Sequence, residues 1–287
     1  MVKDNKQILL PEEKFSNLPD HRKVAFNALN LLSHDGRVHG LYLSGSFADG
    51  QPDKFSDIDI NILAEEEERE QIIKDHAELI QQVCKIAAVF PAIHLHDPNQ
   101  IIVFYEQSIP IHVDYLYRVA KELTPSQKYR NFLIVLDRDG SLATWKETCQ
   151  KVEIEKPPLQ EELQYFEVRF WGWCWYTDTK IERGELWEAR DAIEYIRSNV
   201  IIALAYFKLG LPNEGARRLE RKFPQEVIEL LSKTAPIGLD KQSYKTALLG
   251  LIAGYQQLFK DVLDKNSSLQ INQVDRDYFI EAIGNPR

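Results

Sequence analysis

The spacing of apolar residues changes several times along this chain, and each change marks an element. Over residues 20–33, Val24, Ala25, Leu29, Leu31 and Leu32 recur at helical spacing and predict a helix. Residues 39–43 form a short apolar run that ends on Ser44-Gly45-Ser46, which predicts a buried strand entering a turn. Residues 58–63 predict a second strand. Residues 65–89 read as one long helix whose acidic, solvated first turn, Glu65 to Glu68, complements the helix dipole. Residues 93–95, 101–105 and 109–117 predict three further strands, and 131–136 another. The charged, proline-rich run EIEKPP at 153–158 then predicts a domain boundary, giving domains 1–154 and 155–287. Beyond it the pattern is helical: 161–180, 185–209, 225–232 and 244–263. The expected fold class is therefore an α/β (α+β) domain with a mixed sheet, followed by an all-α helical bundle.

Composition narrows the function without choosing it. Cys84, Cys149 and Cys174 lie far apart and form no CxxC pair, which disfavours a disulfide framework or a zinc site and fits a reducing cytoplasm. The polar N-terminal stretch has no signal-peptide apolar run, and no apolar run is long enough to span a bilayer, so no membrane partner is expected. A formal net charge of −9 disfavours a nucleic-acid partner, since the chain offers one compact basic cluster, Arg217, Arg218, Arg221 and Lys222. The acidity suits a cationic small-molecule partner, as it suits simple solubility.

The chemistry is concentrated in Gly45-Ser46, a ten-residue spacer, Asp57-Ile58-Asp59, and later Asp114 within Ile111-His112-Val113-Asp114-Tyr115. Gly45 permits a tight turn and close approach of a phosphate to the backbone. Ser46 offers a hydroxyl and an N–H at an expected helix start, where phosphate is attracted. Asp57 and Asp59, two apart on a strand, point to one face and can share a hard cation through oxygen. Asp114 is the candidate third carboxylate, with His112 on its face. Nucleotidyl transfer needs such a cation to offset charge on the phosphates and the attacking oxygen. A lone DxD or a lone Gly-Ser turn is a common surface feature; the ordered combination is much more specific.

That combination resembles the polymerase-β-like nucleotidyltransferase superfamily, over roughly residues 41–117. A helical second half makes the chain look like the aminoglycoside and lincosamide nucleotidyltransferases. Asn199 to Tyr206, Gly210 and Arg217 to Pro224 are similar to the helical domain of the streptomycin/spectinomycin adenylyltransferases, and the aromatic run 170–176 is similar to streptomycin 6-adenylyltransferases. The resemblance implies that Gly45, Ser46 and Ser56 bind the nucleotide phosphates. It implies that Asp57, Asp59 and Asp114 are catalytic ligands of one or two Mg²⁺, with ATP as co-substrate. Asp114 is also a candidate general base, although some drug-modifying relatives use a glutamate instead. The relatives' helical-domain lysine has no match at Asn213-Glu214-Gly215-Ala216, so Arg217 or Arg218 is the substitute expected to face the triphosphate.

Lesser candidates divide between structural and functional roles. His112 can position the acceptor or simply be hydrogen-bonded. His94 and His96 alternate on an expected strand face, but no third ligand lies nearby in sequence. The aromatic run from Tyr165 to Tyr176 is too broad for one helix face, so one of Trp171, Trp173 and Trp175 is expected in a cleft, with Trp173 the chosen substrate-binding candidate. Glu167, Asp178, Glu182 and Glu185 can hold an ammonium-rich acceptor. The function expected is transfer of AMP from ATP to a hydroxyl of a small molecule such as an aminoglycoside-type antibiotic. The alternatives are a protein-modifying adenylyltransferase of a toxin–antitoxin type and a non-catalytic nucleotide-binding regulator. The size of the helical half weighs against the first, and the presence of all three aspartates against the second.

Overall fold

A computed structural model describes residues 10, 12–153 and 159–284. The chain divides into two compact units, Met1–Ile154 and Glu155–Arg287. Residues 154–158 of the expected boundary lie outside the described residues, as does most of the polar N-terminal stretch.

In the first unit the elements run α1 (Pro19–Ser33), β1 (Val38–Ser44), α2 (Gly45–Asp49), β2 (Ile58–Ala64), α3 (Arg69–Leu79), β3 (Ile86–Pro91), β4 (Gln100–Tyr105), β5 (Ile111–Arg118), β6 (Leu133–Asp137) and α4 (Ser141–Gln150). The strands form one six-stranded sheet in the order β3-β4-β5-β2-β1-β6. The β2–β5 pair is parallel and the other pairs are antiparallel, so the sheet is mixed as expected. α1 starts on Pro19, whose missing N–H costs nothing in a first turn, and buries Val24, Ala25, Ala28, Leu29 and Leu32. These join Ile58, Ile60, Ile62, Val113, Tyr115 and Tyr117 in one core. A second, smaller core of Tyr42, Leu63, Phe132, Leu142, Trp145 and Cys149 packs α4 on the sheet. Gly40 allows that approach: a Cβ there would stand 2.6 Å from Leu142 Cδ1.

Three expectations are corrected here. The long helix over 65–89 is not formed: α3 spans Arg69–Leu79, and Ile86–Pro91 is an edge strand. Ala87 and Ala88 favour helix intrinsically, but hydrogen-bonded pairing with β4 outweighs that preference. Residues 93–95 form a 3-10 turn instead of a strand, inside the connection between β3 and β4. His94 and His96 therefore share no strand face, and His96 takes a left-handed backbone with φ 56°. α4 lies where the apolar pattern predicted no element.

A charged cluster ties the end of α1 to α3. Asp35 accepts from Arg37 Nη2 at 2.6 Å and stands 3.2 Å from His76 Nε2, while Arg37 Nη1 donates to Asp75 at 2.7 Å. The Arg37 guanidinium holds the Asp35 carboxyl down at about 2, and burial lowers His76. Both groups bind protons more readily in the unfolded chain, so acid favours unfolding. Stability is expected to fall first as pH drops below 6.5, where unfolded His76 gains a proton. It then falls again between 3.8 and about 2, where Asp35 does. Urea unfolding across pH checks this; Asp35→Asn should remove the lower step.

The second unit is helical: α5 (Leu159–Arg183), α6 (Leu186–Ile196), α7 (Ile202–Leu209), α8 (Leu219–Lys222), α9 (Gln225–Ser232), α10 (Lys241–Lys265) and α11 (Arg276–Gly284). α6 and α7 are joined by a π-helical turn, Arg197–Ile201. The aromatic run on α5 divides as its breadth requires. Phe166, Phe170 and Trp171 are buried, Trp173 and Trp175 are half-buried, and Tyr165 and Tyr176 are exposed. Phe170 stacks on Tyr255 of α10 at 3.8 Å. Glu167, fully buried, receives a fork from Arg276 (Nε at 2.8 Å, Nη2 at 2.9 Å) and the hydroxyl of Tyr255 at 2.8 Å. Asp178 pairs with Lys245, and Glu185 with Lys180 at 2.9 Å. Glu182 lies 3.7 Å from Lys245. The four acidic residues considered for an acceptor are thus engaged within the unit. Among the described residues, no helix is long and apolar enough to cross a membrane.

Candidate active site

Strand register assembles the site. β2 and β5 run parallel with Asp59 opposite Asp114, so both carboxylates rise from one face on neighbouring strands. On β1, Ser44 stands opposite Asp59, which places the Gly45 turn beside that carboxylate. Gly45 has φ 64°, and a Cβ on it would lie 2.1 Å from Asp59 Oδ2. Two separate requirements, a left-handed backbone and the space occupied by Asp59, select glycine here. Gly45→Ala is expected to cost about 1–3 kcal/mol and to displace Asp59, read as a lower Tm together with lost turnover.

Asp57, His112 and Asp114 each offer a ligand atom within 4.8 Å of the others. His112 Nε2 stands 3.1 Å from Asp114 Oδ1, and its ring stacks on Phe104 of β4 at 4.7 Å and 16°. The bond to Asp114 raises the His112 pKa against the opposing effect of burial, and Asp57 and Asp59 raise it further. Asp59 stands outside this tight trio and turns toward Gly45. Ser46 is buried, and its Oγ has no hydrogen-bond partner among the described residues. Ser56 closes the preceding turn: its Oγ accepts from the Asp53 N–H at 2.9 Å.

Supporting residues that the motif does not disclose hold these groups. His21, a buried position on α1, places Nε2 3.0 Å from the Ser56 carbonyl oxygen. Burial lowers the His21 pKa. Asn61 is buried in β2 and donates Nδ2–H to Ser44 Oγ at 3.0 Å. In the sequence, the one signal for Asn61 is a polar residue inside an otherwise apolar half-strand. His21 carries no signal beyond its place on a helical apolar face.

Arg217 and Trp173 belong to the second unit. Arg217 is exposed, and Lys222 of the same basic cluster is paired with Glu214. Trp173 is half-buried, edge-on to Tyr195 at 5.3 Å. Trp171, considered with it, is fully buried in the helical core.

The profile of the streptomycin adenylyltransferase family matches residues 21–262. The chain belongs to that family. It is accordingly a nucleotidyltransferase, and the match spans all the site residues described above. No curated protein matches the chain. Among solved structures, an aminoglycoside 6-adenyltransferase from Bacillus subtilis is 14% identical with a TM-score of 0.43, over 96% of this chain and 100% of that one. A nucleotidyltransferase-like protein from Exiguobacterium sibiricum 255-15 is 11% identical with a TM-score of 0.37, over 85% of this chain and 77% of that one.

Proposed function

We propose that this family member transfers AMP from ATP to a hydroxyl of a cationic small molecule of the aminoglycoside class. The observation that carries the reading is the parallel register that sets Asp59 against Asp114, with Asp57 and His112 alongside. The donor set fits a divalent cation such as Mg²⁺: Asp57 and Asp114 would hold it, and Asp59 would complete the carboxylates. Bound there, the ion would offset charge on the triphosphate.

The chain's own groups account for the rest. Ser46 Oγ, buried and without a partner among the described residues, is a donor available to a phosphate oxygen. Gly45 keeps the turn clear of a side chain so that phosphate can approach the backbone. Ser56 sits beside Asp57 in a turn fixed by Asp53 and His21. The acceptor hydroxyl gives its proton to Asp114, forms a bond to the α-phosphorus, and the bond from that phosphorus to pyrophosphate breaks. The oxygen of Asp114 turned to His112 is Oδ1, which leaves Oδ2 to receive the proton. In the second unit, Arg217 is assigned to the triphosphate and Trp173 to the acceptor, with 155–287 as the substrate-binding domain. A net charge of −9 favours a cationic acceptor over an anionic one.

Turnover of ATP, in comparison with the other NTPs, against a panel of aminoglycosides and lincosamides tests this reading. Pyrophosphate release and a mass gain of one AMP on an acceptor are the expected results. Pyrophosphate release that never exceeds the acceptor-free rate, for every acceptor tried, would overturn it.

A further inference from the structure

The trio of Asp57, His112 and Asp114 contains a nitrogen donor where carboxylates alone would suffice for a hard cation. His112 is not loosely placed. It stands directly across from Phe104 in the β4–β5 register, and the two rings stack at 4.7 Å and 16°. That stacking fixes the imidazole plane and keeps Nε2 on the side of Asp114, at 3.1 Å from Oδ1. The group remains open to ligands, with the His112 side chain 32% exposed and that of Asp114 13%.

We propose that His112 Nε2 is a direct ligand of the divalent ion, together with Asp57 and Asp114, and that this mixed imidazole–carboxylate set favours borderline ions over Mg²⁺. The proposal rests on the metal-dependent reading given above and specifies which ion the site prefers. Two donors at about 2.0–2.2 Å from a common ion stand at most about 4.4 Å apart. The three ligand atoms lie within 4.8 Å of one another, close enough for modest side-chain rotation to bring all three onto one ion. Imidazole nitrogen suits zinc, iron and nickel, whereas Mg²⁺ prefers oxygen and sheds water reluctantly. Mn²⁺, at ease with both donor types, is the informative probe.

The test is pulsed EPR of Mn²⁺ bound to the full chain without nucleotide, beside a Mn²⁺ titration competed with Mg²⁺. Bound Mn²⁺ is expected to show ¹⁴N coupling from a directly ligated imidazole. In His112→Gln, Mn²⁺ should still bind through the carboxylates, but with the coupling lost and the affinity reduced roughly tenfold, while Mg²⁺ affinity changes far less. Mn²⁺ that binds without ¹⁴N coupling in the unaltered protein, or coupling that survives in His112→Gln, would overturn the imidazole ligand and leave the carboxylate site standing. Absence of any Mn²⁺ or Mg²⁺ binding would overturn both. The signal of the unaltered protein needs no variant, so a His112→Gln chain that fails to fold does not shield the proposal.

Discussion

Asp114→Asn is expected to lower the turnover of nucleotidyl transfer by about 10²- to 10⁴-fold, the range over which a positioned general base contributes. The substitution keeps the side-chain volume and an oxygen able to face His112, so the local geometry survives. It removes the negative charge that, on the proposed reading, accepts the hydroxyl proton and helps hold the cation. The fold should stand, because Asp114 is half-buried and its polar contact among the described residues is with His112. A second readout separates lost charge from a disturbed site. Asp114 is the largest cause of the raised His112 pKa, so an NMR titration of the variant should show that histidine titrating at lower pH. A variant that retains more than about a tenth of the turnover, with the histidine shifted, would remove Asp114 from the base role while leaving the electrostatic picture intact.

Arg276→Ala is expected to produce the largest loss of stability. Glu167 is fully buried, and the Arg276 fork supplies its cationic partner from α11. Removing one side of a buried pair leaves an uncompensated charge and costs about 3–5 kcal/mol. Arg276 itself is 25% exposed, so the lower end of that range applies. At about 2–4 °C per kcal/mol, the melting transition should drop by about 6–12 °C. The double variant Glu167→Leu, Arg276→Met should recover much of the loss, since an apolar replacement of both partners leaves no charge stranded. A single variant that melts within about 2 °C of the unaltered chain would mean that water reaches Glu167. Calorimetry on the full chain reads both, and activity measured below the transition shows whether α11 matters beyond stability.

The two-part architecture was legible because period and composition change together at the proline-rich run, and because β1, β2, β4 and β5 are short apolar runs next to turn residues. The helices α5, α9 and α10 were found for the same reason, and so was 185–209, which a π-helical turn divides into α6 and α7; the short α8 and α11 were not predicted. What failed is local and has physical causes. The strand at Ile86–Pro91 contains alanines and lies at a sheet edge, so its identity comes from pairing with β4 and not from its own residues. Ile93 and Leu95 are apolar and flank His94, yet the segment turns, because backbone at 92 and 97–100 closes the connection there. At the site, order and spacing singled out the Gly-Ser bend and the acidic positions, and the strand register sets Asp59 beside Asp114. The closeness of His112 to Asp57 was not, because it depends on which strand neighbours β2. Nor did the sequence disclose that Glu167 and Asp178 are consumed by Arg276 and Lys245, partners distant along the chain. Side chains of one type read alike until their counter-charges are located.

The parallel pairing of β2 with β5 carries a consequence for biosynthesis. A nascent chain presents the Asp57-Ile58-Asp59 signature early, but β5 cannot dock beside β2 until the intervening α3, β3 and β4 have emerged, and non-local strand pairing is slow. Until then the acidic pair has no opposite wall and no imidazole beside it. On the metal-dependent reading proposed above, cation capture should therefore appear late in folding and in one step with the closing of the sheet.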